Sequence, residues 1–172
     1  METHEIQAIV NTAIHTLRKE DDFLLTKDIS ERAISHKMAV YLDNQFHGYK
    51  VDCEYNGYAR ADNNKKYIMI LRQRLGELGK IKDSDGDDET LKRSVYPDII
   101  VHKRGEDSNL LILEIKKEKN DDKEFDREKI CRYTSAEYEN QLNYKLGALI
   151  IFTTGKESTP FEIEWYQDGE KI

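Results

Sequence analysis

Residues 147–153 read Gly-Ala-Leu-Ile-Ile-Phe-Thr, apolar at odd and even positions alike. Successive side chains of a strand point to opposite faces, so this strand needs cover on both, as at the centre of a sheet with helices on each side. Other segments fit that frame. Residues 161–166 alternate apolar and acidic side chains after Pro160, which suits an edge strand with one solvated face. Residues 95–102 and 110–116 are two more strand candidates, and the polar, turn-forming stretch 103–108 between them predicts a β-hairpin. Residues 49–56 form a first strand candidate, closed by Asn56-Gly57, a dipeptide that marks tight turns.

Helical periodicity supplies the cover. Ile6, Ile9, Val10, Ala13, Ile14 and Leu17 recur at three- and four-residue steps, an apolar stripe that Thr3 can cap and that the acidic break Glu20-Asp21-Asp22 ends. Asp28, with Glu31 three residues later, gives a capping-box-like start to a second helix running to about Phe46, with Ile34, Met38, Tyr41 and Leu42 as its buried stripe. A third helix begins at Asp126, turning Ile130 and Tyr133 inward and leaving Arg127, Lys129 and Arg132 more exposed. Ile68, Leu71, Leu75 and Leu78 have helical spacing, so residues 58–94 read as a helical insertion that continues into an acidic loop at 82–89. Asp83, Asp85 and Asp87 invite comparison with a calcium loop. The positions that an EF-hand gives to glycine and to a bidentate glutamate hold Asp88 and Ser94, so a solvated acidic loop is the better reading.

At 172 residues, 38% hydrophobic and 35% charged, the whole chain (1–172) is expected to form one domain around one core. Apolar runs such as 148–152 and 110–113 fall far short of the roughly 20 residues of a membrane-spanning helix. The opening Met1-Glu2-Thr3-His4-Glu5 lacks the features of a secretory signal, so a cytoplasmic protein is expected. Cys53 and Cys131 form no CxxC pair and have no histidine at ligand spacing; both read as ordinary buried thiols. The five histidines are not spaced for zinc or for a nucleophilic hydrolase, and no Walker loop or dinucleotide-binding glycine pattern occurs. The net charge of -7 argues against coating nucleic acid by bulk electrostatics, so any such contact must be local.

One pattern stands apart from this charge-rich background. Glu-x-Lys occurs once, at Glu114-Ile115-Lys116, directly after an apolar run and one hairpin beyond Pro97-Asp98. Strand alternation puts Glu114 and Lys116 on one face, and an antiparallel partner strand brings Asp98 beside Glu114. Charged groups at the ends of apolar strands are costly unless paired or metal-bound. Two carboxylates with a lysine suit magnesium, which prefers oxygen ligands, keeps several waters, and can activate a water and clamp charge in phosphodiester hydrolysis. Nearby in sequence, Tyr96, Tyr133, Tyr138 and Tyr144 read as core-edge residues, with stacking on unpaired bases as the alternative.

Tyr-Pro-Asp-Ile-Ile at 96–100, followed by Leu-Leu-Ile-Leu-Glu-Ile-Lys-Lys at 110–117, resembles the core motif of the PD-(D/E)XK nucleases, the restriction-endonuclease-like superfamily. The resemblance implies an α/β fold with a mixed sheet, whose core of a helix, three strands, a helix and a strand occupies about residues 28–153. The N-terminal helix and the insertion at about 58–94 are additions to it. It further implies that Asp98, Glu114 and the Ile115 carbonyl bind Mg or Mn, that Glu31 on the first core helix completes the site, and that Lys116 orients or activates water. Lys117, Arg127 and Lys129 are the candidate nucleic-acid contacts.

Structural alternatives stand beside these roles. Glu31 can be the acid of the capping box, and Glu114 with Lys116 an ion pair on an exposed strand edge. The expected activity is a metal-dependent nuclease acting on DNA rather than RNA. The alternative is an inactive or partner-dependent nuclease-fold module, with a protein partner or a homodimer formed through Leu71, Leu75 and Leu78.

Overall fold

The computed structural model describes residues 1–57, 65–106, 108–136 and 142–172. Tyr138 and the centre of the segment after Asn56-Gly57 lie outside the described residues. The chain begins with α1 (Thr3–Glu20), α2 (Asp22–Thr26) and α3 (Glu31–Asp43). After β1 (Lys50–Cys53) come β2 (Tyr67–Leu71), α4 (Arg72–Glu77) and β3 (Thr90–Ser94). The hairpin strands β4 (Ile99–His102) and β5 (Asn109–Lys117) lead into α5 (Lys123–Thr134). Strands β6 (Leu146–Phe152), β7 (Phe161–Gln167) and β8 (Glu170–Lys171) complete the order.

The fold is mixed α/β. A six-stranded, mainly antiparallel sheet runs β1-β4-β5-β6-β7-β8, and β2 and β3 form a separate antiparallel pair. Strand β6, apolar on both faces, is buried along its whole length at the sheet centre. It lies parallel to β5, with Leu113 opposite Ala148, and antiparallel to β7. A parallel neighbour needs a crossover, and α5 provides it. On one face Leu113 and Ile115 pack with Val10 of α1 and Met38 of α3. On the other, Ile112 and Leu149 pack with Ile130 and Tyr133 of α5 and with Ile68 and Leu91 of the two-stranded sheet. The sheet therefore has a core on each side.

The departures from expectation have local causes. The insertion at 58–94 is not mainly helical: Tyr67–Leu71 is a strand whose burial alternates, and among its described residues Arg72–Glu77 is the one helix. Tyr-Ile-Met-Ile-Leu is rich in strand formers, and its two-residue alternation prevails over the three- and four-residue spacing of its leucines. Leu71 consequently ends a strand, and Leu75 is buried, so the three leucines share no exposed helical face. Ser30, not Asp28, caps α3, its Oγ accepting from the Ala33 N–H. Asp28 lies outside the helix at φ 55, held by Lys117, Lys119 and Thr154. Likewise Glu2, not Thr3, precedes α1, and its N–H is taken by Glu5 at 2.6 Å. Helix α5 starts at Lys123, one turn before Asp126, which buries that carboxylate within the helix. Of the two thiols, Cys53 is exposed and Cys131 half-buried. No helix among the described residues is long and apolar enough to cross a membrane.

Candidate functional site

The β4–β5 ladder ends at the pair Ile99 and Leu113. One residue earlier the backbone partner is replaced by a side chain: Asp98 Oδ2 accepts the Ile115 N–H at 2.7 Å. The Asp98 carbonyl in turn accepts from the Glu54 N–H beyond β1, at 3.2 Å. Aspartate and the Glu-x-Lys strand are thus tied together by the hairpin register. Because Leu113 and Ile115 belong to the core under α1 and α3, Glu114 and Lys116 project toward α5.

Helix α5 meets them with alternating charge. Lys129 Nζ lies 2.9 Å from Glu114 Oε1 and 2.6 Å from Asp126 Oδ1. The Tyr133 hydroxyl donates to Glu114 Oε1 at 3.3 Å. Asp126 Oδ2 is 3.2 Å from Lys116 Nζ, and the same ammonium is 3.7 Å from Glu31 Oε2. Asp126 Oδ2 is buried, and the Lys116 ammonium is its close contact there. Carboxylates and ammonium groups alternate from Glu114 through Lys129, Asp126 and Lys116 to Glu31.

Burial dominates the electrostatics. Glu114 is 2% exposed, and desolvation, seconded by the negative charges of Asp98 and Asp126, pushes its pKa to about 8 against the pull of Lys129. Desolvation also raises Asp98, in part offset by the Ile115 N–H and the two lysines. Burial alone would lower Lys116 and Lys129, yet the surrounding carboxylates raise both above the ordinary lysine range. Tyr133 is driven well above its usual value by burial and by Glu114. Lys129 thus stands closer to Asp126 than to Glu114, and burial favours the protonated form of Glu114 beside that pair.

Glu31 is the first residue of α3, so the capping-box alternative does not describe its contacts. Its Oε1 accepts the Lys117 N–H at 2.8 Å and the Asn120 side-chain amide, tying the helix to the loop after β5. Lys117 extends its ammonium to Asp28 at 3.1 Å and to the Ile29 carbonyl at 3.3 Å. Arg127 makes a two-pronged contact with Glu164, at 2.8 and 2.6 Å. Lys129, expected on the exposed side of its helix, is only 14% exposed in its side chain. Each candidate nucleic-acid contact is therefore engaged within the chain.

Among the described residues no three of His, Cys, Asp and Glu converge closely enough to hold a metal ion by side chains alone. Glu31 turns to the loop after β5, Glu114 to α5, and Asp98 to the Ile115 N–H. Sequence reasoning missed Asp126 and the polar role of Tyr133. The available signal was spacing: Asp126, Lys129 and Tyr133 follow one another at three- and four-residue steps, which places them on one helix face. Beside the site opens a cleft of about 590 Å³, its walls including Glu31, Asp98, Arg32, His36, Cys53 and Glu54. Compared with protein-family models, with curated proteins and with solved structures, the chain has no match in any of the three.

Proposed function

We propose that this chain is a metal-dependent nuclease of the PD-(D/E)XK kind, hydrolysing phosphodiester bonds, those of DNA, through a metal-activated water. The observation that carries the reading is the capture of the Ile115 N–H by Asp98 at the end of the hairpin ladder. Within a strand a residue's N–H and C=O point to the same edge, so the Ile115 carbonyl faces the side where β4 has ended. Continuing the register of Ile99 with Leu113 sets Pro97 opposite Ile115, and proline has no N–H to offer that carbonyl. Asp98, Glu114 and a carbonyl without a ladder donor then border one spot, with Lys116 on the same face as Glu114.

That donor set fits a divalent cation. Magnesium takes oxygen ligands, needs only one or two carboxylates, and completes its shell with water and substrate phosphate. Burial raises the pKa values of Asp98 and Glu114, so both are carboxylates whose charged form a bound cation would stabilise. Asp98, Glu114 and the Ile115 carbonyl would hold the ion; Glu31 and Asp126 hold Lys116 between them. The ion supplies water activation and charge neutralisation on the phosphate when bound. Lys116, kept cationic by Asp126 and Glu31, orients the attacking water or the phosphate oxygen. The order α3, β1, β4, β5, α5, β6, with β5 and β6 parallel, supports the restriction-endonuclease-like reading of the fold.

Wild-type protein with Mg or Mn is expected to cleave DNA. Asp98→Asn and Lys116→Ala should each cut the rate by about a thousandfold or more, while circular dichroism shows an unchanged fold. No cleavage of any DNA or RNA, single- or double-stranded, by the wild type with either ion would sink the reading. One observation favours the second reading, a partner-dependent or inactive module: Lys117, Arg127 and Lys129 are all paired internally in a chain of net charge -7. Calorimetric absence of Mg binding together with capture of a protein partner would select it.

A further inference from the structure

If the carboxylate site is a nuclease centre, something must hold the strand against it, and the basic residues nearest in sequence are committed elsewhere. Lys117, Arg127 and Lys129 have side chains 13, 28 and 14% exposed, each against a carboxylate. The cleft wall offers a different pair. Arg32 is 81% exposed, and its partner Glu54 is itself 48% exposed. An ion pair so open to water is worth little, so the guanidinium can leave it for a phosphate, to which its planar fork binds in two-pronged fashion. His36 stands one turn further along α3 on the same exposed side and lines the same cleft. The volume of about 590 Å³ lies within the range of small-ligand clefts, and Glu31 and Asp98 form part of its wall.

We infer that this cleft, between the start of α3 and the β1–β4 edge, is the track of the nucleic-acid strand, with Arg32 and His36 holding phosphates beside the bond presented to Asp98. The inference rests on the nuclease reading for the role of Asp98 and on cleft geometry for the rest. It locates the local positive contact that an acidic chain requires, and it gives Glu54 a part: in the free protein that carboxylate occupies Arg32 through a contact of 2.7 Å. Binding a phosphate then means exchanging one anion for another at the same guanidinium.

The test is fluorescence anisotropy with short labelled DNA, single-stranded and duplex, titrated with the 172-residue chain carrying Asp98→Asn so that nothing is cleaved. Adding Arg32→Glu should weaken binding about tenfold or more and lower the salt slope by about one. Adding His36→Ala should weaken it severalfold, and Glu54→Gln should strengthen it by freeing Arg32. Arg32 is exposed and near a helix N-terminus, where glutamate is well tolerated, so the fold should persist. Absence of DNA binding, or affinity and slope indifferent to both Arg32→Glu and Glu54→Gln, overturns the track. Arg32-dependent binding in a protein whose wild type cleaves nothing would keep the track and end the nuclease reading. Magnesium-dependent cleavage whose KM ignores Arg32→Glu would do the reverse.

Discussion

Glu114 shows what one buried carboxyl does to the pH response of the chain. Its folded pKa of about 8 stands above the ordinary 4.5, so between those values the folded state holds a proton that the unfolded state has released. The stability this gives is fully present below about pH 4.5 and is lost as pH rises through 8. Glu114→Gln keeps the neutral form at every pH, so its thermal midpoint should fall less steeply between pH 5 and 8 than that of the wild type. Equal slopes would show that Glu114 does not titrate there. Binding of a divalent cation to the charged form must expel the proton, so calorimetry at pH 7 in buffers of different ionisation enthalpy should show about one proton released per Mg bound. Lys129 can be tested from the other side. Lys129→Met leaves Asp126 with the Lys116 ammonium alone and, at pH 8, takes from charged Glu114 the ammonium that pairs it, so chemical denaturation should show a loss of about 3 kcal/mol. The loss should shrink near pH 5, where Glu114 is neutral unaided.

At the scale of elements, the site depends on how closely α5 lies on the sheet, and Gly147 sets that distance. A Cβ there would stand 2.5 Å from Ile130 Cγ2 and 3.0 Å from Thr134 Cγ2. Gly147→Ala must therefore push α5 outward, at a cost of about 1 to 3 kcal/mol, and with it the Asp126 and Lys129 side chains that face β5. We expect a lower denaturation midpoint and, for the proposed nuclease, slower Mg-dependent cleavage; a variant of full stability would contradict this account of the helix–sheet contact. Gly147 also marks how far the sequence could be read. The doubly apolar run that follows it revealed the central strand, and apolar strands around a polar turn revealed the β4–β5 hairpin, because burial imposes a pattern on neighbours in the chain. Asp98 and Glu114 were legible for the same reason, as charges bordering apolar runs: Asp98 directly precedes β4, and Glu114 follows the apolar residues Leu110 to Leu113 inside β5. The cap of α3 was misplaced at Asp28, since Asp28 and Ser30 are both good caps by residue type and the distant contacts of Asp28 with Lys117, Lys119 and Thr154 draw it away from the helix. The burial of Lys129 depends on Glu114, fifteen residues away on another element, and no local pattern announces such a partner.

The whole molecule is organised by one sheet with a core on each face, and the two cores meet along its strands. Leu113 faces α1 and α3 while Ile112 beside it faces α5, so neither side can lose its packing without disturbing backbone that the other side uses. That arrangement favours a single cooperative transition over stepwise loss of layers. Met38, fully buried on the α3 side, and Ile130, fully buried on the α5 side, provide the comparison. Met38→Ala and Ile130→Ala should each cost about 2 to 5 kcal/mol and shift one and the same denaturant transition without changing its slope. The only tryptophan, Trp165, packs against the α1–α3 core, so its fluorescence reports that face directly, whereas circular dichroism reports all helices and strands. If the α5 layer melted alone, Ile130→Ala would move the dichroism curve and leave the fluorescence curve in place. Coincident curves for both variants would mean that Glu114 and Lys116 on β5 and their partners on α5 are held by the stability of the entire sheet. A site built across those elements then stays assembled for as long as the fold does.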